Sequence, residues 1–437
     1  MRKIIFFLLV FLNSSITHAA PSPLTLQECF QAALKRSEDI ANQAELITQA
    51  EERFKQARGA VFPAINGSVL FGLQAAPSSA TASSFSPPSQ TTIRLSASQP
   101  LFRGLREFAT MRQQKNLIQS AEWNRQQATL QLYQDLVLLF YQVLILQKDI
   151  QNLNNEIELN QKRVTELQRF IRVGRSRQSE LLTLQTNIAV LEAQLASVQG
   201  QLASTRDAFA FMTGLDRETP LQDDQPIPQR ANTEDVQKYI GRVDSRPDIH
   251  ALQEAVLASE EGLLVARGAH FPSIDLTANY YFMRPGFLSD VNWDLQLGFT
   301  LPIFQGGIIQ AQVRQAVSVK RQSELNLEKA RRQAQQQIES FFHLFSSDWL
   351  QMEKQKSAVT LATQNYETEQ NDYRLGLVTN LEVLQGLTTY QQNQRLLDRA
   401  QLQTKSDFIR LESAAGLRPK EVTELESREA TEGPHSL

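Results

Sequence analysis

The sequence predicts an α+β membrane protein: long α-helical hairpins that build an α-barrel, joined to four transmembrane β-strands per chain, with the whole pattern written twice. Three observations carry this. From Leu105 to Arg172 the chain runs 68 residues without a proline and with a helical apolar period, about 100 Å of helix at 1.5 Å per residue. Two pairs of segments alternate apolar and polar residues over about ten positions, the length of a tilted transmembrane strand with one face for lipid and one for a lumen. Landmark residues then recur at a nearly fixed offset, which marks an internal repeat.

The elements follow in order. Arg2 and Lys3, the apolar run Ile4 to Leu12 and the small-residue site ending at Ala19 read as a signal peptide, residues 1–19. That run is too short to span a bilayer, and nothing later approaches the roughly 20 apolar residues a transmembrane helix needs. Membrane insertion therefore falls to strands. The first repeat, 20–215, opens with Thr25 and Glu28 as a capping box and one helix from Thr25 to Ala57, stopped by Gly59 and Pro63. The hairpin 64–100 places Ile65, Val69, Phe71 and Leu73, then Ile93 and Leu95, on one side, around a mobile Ala, Ser and Pro-rich loop.

In the long helix 105–172, the positions Leu132, Leu136, Leu139, Val143, Leu146, Ile150, Leu153, Ile157, Val164, Leu167 and Ile171 keep a 3.5-residue period that only Asn160 interrupts. Such a seam requires a partner helix and a left-handed supercoil. The partner is the return helix 175–212, which follows the Gly174 turn with Leu181, Leu184, Ile188 and Leu191 in the same spacing.

A linker, 216–247, leads to the second repeat, 248–417, with hairpin 273–302, long helix 308–374, return helix 377–415 and then a disordered tail, 418–437. Gly59 returns as Gly268 at an offset of 209, while Gly104, Gly174, Glu180 and Gly214 return as Gly306, Gly376, Glu382 and Gly416 at 202. The missing seven residues lie in the strand-to-strand loop, where length is cheapest to change. In the second hairpin Ile274, Leu276, Tyr280 and Phe282, then Trp293, Leu295, Leu297 and Phe299, form the lipid-facing side. Near the barrel end of the second long helix the apolar spacing approaches an eleven-residue period, which gives a nearly straight helix and an open cylinder there.

Four strands cannot close a barrel, and open edges are not tolerated in hydrocarbon. Two chains would give an eight-stranded barrel filled by side chains, whereas three give a twelve-stranded barrel wide enough for water, which the polar inner face favours. Each repeat's two short helices add up to nearly the length of its long one, so six repeats make a twelve-rod cylinder.

The residues argue against several function classes. A formal charge of -3 leaves no footprint for nucleic acid. The single cysteine, Cys29, excludes a disulfide framework within the chain, the five histidines are scattered, and no nucleotide-binding glycine loop occurs. With no nucleophile, metal or cofactor constellation, the chain does not read as an enzyme. A secreted structural coiled coil or surface adhesin would account for the heptads and the signal peptide, but not for four strands of lipid-spanning length.

The duplicated order of helix, two strands and two helices, the Phe-Pro before each first strand, Leu301 to Gly307 and the turn Arg374 to Leu384 together resemble the TolC-like outer membrane efflux proteins. The resemblance covers about Leu24 to Leu417. It implies a homotrimeric exit duct in the outer membrane of a Gram-negative bacterium, with a trans-periplasmic α-barrel. Such a duct passively conducts substrate from an inner-membrane transporter of RND, ABC or MFS type, through a periplasmic adaptor, in efflux or type I secretion. It places adaptor-docking tips at Gly174, Arg175, Gly376, Leu377 and Val378, and a periplasmic entrance at Glu180, Tyr373, Glu382 and Gln385. The first tip departs from the family pattern by carrying arginines where apolar residues are usual, which fits a partner with an acidic groove. Gln385 is an amide where a second acid often stands.

Overall fold

The computed structural model describes residues 22–75, 88–174, 176–230 and 235–417. The expected signal peptide, nearly all of the loop between the first two strands, Arg175 and the expected disordered tail lie outside the described residues. The elements are α1 (Leu26–Arg36), α2 (Glu38–Gly59), β1 (Ala64–Leu73), β2 (Ser89–Arg103), α3 (Arg106–Arg172), α4 (Gln178–Thr213), α5 (Asp235–Ile240), α6 (Pro247–Gly268), β3 (Ser273–Met283), β4 (Trp293–Thr300), α7 (Ile308–Leu375) and α8 (Asn380–Ala414). A short 3-10 helix, Val243–Ser245, precedes α6.

Three elements differ from the expectation, the first two for evident physical reasons. The first helix is two helices, because Ser37 takes an extended conformation and its hydroxyl accepts from the Ile40 amide, starting α2 afresh with Glu38 and Asp39 in its first turn. β2 runs past Pro100 to Arg103. Proline cannot donate to the ladder, and the register shifts between Pro100 and Phe102 to accommodate it. β4 is shorter than expected and ends at Thr300. The linker also carries structure, since Leu24 bridges Leu221 and α5 forms within it.

The chain divides into two compact units. The first holds α1, α4, most of α8 and the later parts of α3 and α7. Here α1 buries Leu26, Cys29, Phe30 and Ala33. Burial pushes the Cys29 thiol up to about 12, so it stays a protonated core residue. Asn160 sits in the seam fully covered, its amide nitrogen donating to the Glu156 carbonyl at 3.0 Å. By length and composition α3 also contains a stretch suited to cross a membrane. Its residues Leu136, Val137, Phe140, Tyr141 and Leu146 are buried inside the protein, as in a core helix.

The second unit holds the sheet, α2, α5, α6, the earlier parts of α3 and α7, and the end of α8. All four strands form one antiparallel sheet in the order β1-β2-β3-β4, so β2 and β3 join the two predicted hairpins directly. In the same unit, Arg246 is buried and forks onto Asp248 at 2.8 and 3.0 Å while donating to the Ala414 carbonyl at 2.8 Å. A buried guanidinium is tolerated because its donors are satisfied in this way.

Candidate functional site

The sheet sorts its residues by face. Ile274, Leu276, Ala278 and Tyr280 of β3 stand opposite Phe299, Leu297, Leu295 and Trp293 of β4, while Asp275, Thr277 and Asn279 stand opposite Gly298, Gln296 and Asp294. The same division continues through β2, where Leu95 and Ala97 pair with Tyr280 and Ala278, and Ser96 and Ser98 with Asn279 and Thr277. It reaches β1, where Ile65, Gly67 and Val69 lie opposite Ala97, Leu95 and Ile93. Tyr280, Phe282, Trp293, Leu295, Leu297 and Phe299 are exposed, with Leu297 at 68%; Ile274 and Leu276 are half-buried. The polar face is knitted by hydrogen bonds: the Asn279 amide donates to Asp294 at 2.8 Å, and the Arg94 guanidinium to Ser68 at 3.1 Å. An apolar face this continuous and largely exposed is the kind of surface that lipid would satisfy.

At the helix turns, Gly174 and Gly376 adopt φ of 75° and 79°, the left-handed conformation of a helix C-cap. Leu377 donates to the Asp372 carbonyl at 2.9 Å, and Leu375 and Leu377 are more than 70% exposed. Val378 is half-buried. The two turns differ in how the next helix begins. At the second, the Thr379 amide and hydroxyl both donate to Glu382, at 2.6 and 2.9 Å. At the first, Arg177 occupies the cap position without a side-chain bond, at a cost of about 0.5–2 kcal/mol relative to a good cap. Val173, Arg169, Arg172 and Arg177 around it are exposed. Arg175 lies outside the described residues.

The structure brings only part of the expected entrance set together. Tyr373 packs its ring edge against Phe170 and lies under the Arg163 guanidinium, 4.6 Å from the ring centre. Burial is the main cause that pushes its phenol above the ordinary value, with the nearby Glu180 charge adding to it. Glu180 accepts from the Ser176 hydroxyl at 2.8 Å. Glu382 is exposed and engaged in its own helix cap, where the Thr379 amide, then its hydroxyl, hold the carboxyl below its ordinary range. Gln385 is exposed.

A second stripe on α3 escaped the apolar pattern. Asp149, Asn152, Glu156 and Arg163 follow the heptad period alongside the apolar seam, and they meet α8. Arg399 forks onto Asp149 at 2.6 and 3.0 Å, Asn152 donates to Asp398 at 2.8 Å, Arg395 pairs with Glu156, and Arg163 donates to Asn380 at 3.0 Å. Glu156 is nearly fully covered, and its burial pushes the carboxyl above the ordinary range despite Arg395. Losing one partner of such a buried pair costs about 3–5 kcal/mol. The readable signal was a second heptad of charges with a complementary run in the return helix. Among the described residues, no group of three or more His, Cys, Asp or Glu is placed to hold a metal ion.

Comparison with known proteins adds to this geometry. A model of the family described as outer membrane efflux protein matches residues 29–215 and 243–417. The outer membrane protein TolC of Escherichia coli is 26% identical over 173 residues, 36% of this chain and 35% of that protein. The toluene efflux pump outer membrane protein TtgC of Pseudomonas putida is 27% identical over 176 residues, 39% of this chain and 36% of that one. The aligned stretches thus span about a third of the length of these curated relatives. The crystal structure of the outer membrane protein VceC from Vibrio cholerae superimposes with a TM-score of 0.76 at 20% identity, over 90% of this chain and 96% of that one, a likeness of fold.

Proposed function

The chain belongs to the outer membrane efflux protein family and resides in the Gram-negative outer membrane, and we propose that it is the exit duct of a tripartite system. One observation carries the reading: a four-stranded sheet gathers most of its apolar residues on one largely exposed face, Leu70 of β1 excepted, while β1 and β4 each keep one edge unpaired among the described residues. Unpaired edges in hydrocarbon require closure by further copies. Three copies close a twelve-stranded barrel around the polar face, and their helices continue it as an α-barrel through the periplasm. Substrate then moves passively, supplied by an inner-membrane transporter of RND, ABC or MFS type, in efflux or type I secretion.

In this reading the tips at Gly174, Arg175, Gly376, Leu377 and Val378 receive a periplasmic adaptor. The apolar second tip offers it packing, and the arginines of the first offer it carboxylate partners. Glu180, Tyr373, Glu382 and Gln385 line the entrance. Alkaline carbonate extraction of membranes, followed by mass measurement in mild detergent, tests the assembly. The protein is expected to stay with the membrane and to run as a trimer after detergent. Release by carbonate as a monomer would favour the secreted coiled-coil alternative.

A further inference from the structure

The charged residues of the four strands are Arg94, Arg103, Asp275 and Asp294. Arg103 pairs with Asp275 at 2.8 Å, and Arg284, just beyond β3, lies 3.7 Å from Asp294. Asp290 stands in the loop that joins β3 to β4. Arg94 is the exception to this matching. Its Nε donates to the Ser68 hydroxyl at 3.1 Å, and among the described residues it meets no carboxylate. The flanking strands place Ser68 opposite it on one side and Tyr281 on the other, and the next positions on that face are Asn66, Leu70 and Asn279. From Gly59 to Phe102 the sequence holds no other charged residue.

The pair Ser68 and Arg94 is the fifth of ten between β1 and β2, counted from Ala64, so the guanidinium stands near mid-height of the ladder. On the lipid side a cation at that depth is costly, and Arg94 alternates with Ile93 and Leu95 of the apolar face. The hairpin itself does not require the charge. Shifts of 209 and 202 carry Ser68 and Arg94 onto Thr277 and Gln296, which stand opposite each other in the second hairpin. There an uncharged amide fills the position and donates to Asp294 at 3.1 Å. An unmatched ionisable group at mid-depth of a membrane-spanning sheet, in a place where an amide serves the fold equally well, marks a path for charged solutes.

We propose that Arg94 is an anion-binding station in the lumen of the duct. Three copies set three guanidiniums around the lumen at one height, and rings of arginine favour anions as rings of carboxylates favour cations. Ser68 takes only Nε, which leaves the two terminal nitrogens of each exposed Arg94 to fork onto an oxyanion, the carboxylate or phosphate of a passing solute. The station has the opposite sign to Glu180 and Glu382 at the proposed entrance, so the two ends of the duct select differently. This inference rests on the threefold duct reading above and adds the chemical class that the strand lumen retains.

Single-channel recording of the purified trimer, with the tricarboxylate citrate added to each side in turn, tests it. Block from the strand side is expected to weaken at least about tenfold in Arg94→Gln, the amide that the second hairpin already accommodates, and to persist in Arg94→Lys. Ser68→Ala removes the hydrogen bond and keeps the charge, so it should be blocked as the unaltered channel is. A merely structural Arg94 would instead make Ser68→Ala and Arg94→Gln behave alike. No citrate block of the unaltered channel, equal block of Arg94→Gln, or equal loss of block in Ser68→Ala and Arg94→Gln would overturn the station while leaving the duct reading in place. Trimers that conduct no current with any of these residues would overturn both.

Discussion

The sheet-bearing unit contains two junctions built from equivalent residues, one closed and one open. Where β2 meets β3, Gly104 lies against Gly268, Arg112 pairs with Glu261, and the strand extends to its full length. Where β4 ends, an added Cβ on the matching glycines, Gly306 and Gly59, meets nothing within 4 Å, Phe304 is exposed and the strand falls short. Residue type does not explain the difference, because the types are largely the same. The presence of a neighbour within the chain does.

Substitutions at equivalent positions should therefore behave differently in the two places. The largest effect is expected for Gly104→Val, which combines a positive φ with the Gly268 carbonyl already in the way. A loss of about 2–5 kcal/mol should appear as a lowered denaturant midpoint of the whole chain. Leu297→Arg, on the apolar face of the open-edge strand, should cost about 2–4 kcal/mol of membrane folding stability if that face meets mid-bilayer lipid. Urea titration in lipid vesicles reads it. Gly306→Ala should cost only the strain of its conformation, about 1–2 kcal/mol by the same denaturant titration. Arg112→Ala, at an ion pair more than half exposed on the arginine side, should cost about 0–1 kcal/mol in chemical denaturation.

The smallest effect lies at the second helix tip. The Glu382 carboxyl is held below its ordinary value of 4.5, so its cap contributes above that value and is lost as pH falls through the lowered one. Hydrogen exchange in the first turn of α8 should accelerate over that acid range, and Glu382→Gln should remove the pH dependence.

What the sequence made legible was periodic and local. The strands, the heptad seam between α3 and α4, the glycine turns and the capping box at Thr25 and Glu28, where the Thr25 amide donates at 2.8 Å, are each written within one segment. The break at Ser37 was also written locally, as a serine followed by two acids. The stripe of α3 that meets α8 joins residues more than 200 positions apart, and periodicity along one helix cannot name a partner in another. The same holds for Gly104 and Gly268: each reads as a turn, and only their meeting explains why neither tolerates a side chain. Sequence spacing marked Glu180 and Glu382 as equivalent positions of the two repeats. The fold gives them different work, one beside Tyr373 and one in a helix cap.

The most direct test of a closed, water-filled barrel is single-channel recording of the purified, detergent-extracted protein in a planar bilayer. Discrete, ohmic conductance steps from trimeric fractions, and none from fractions in which Leu297→Arg has dispersed the trimer, are predicted. Steps of the same size from monomeric fractions, or no steps from intact trimers under any voltage or pH, would contradict the account.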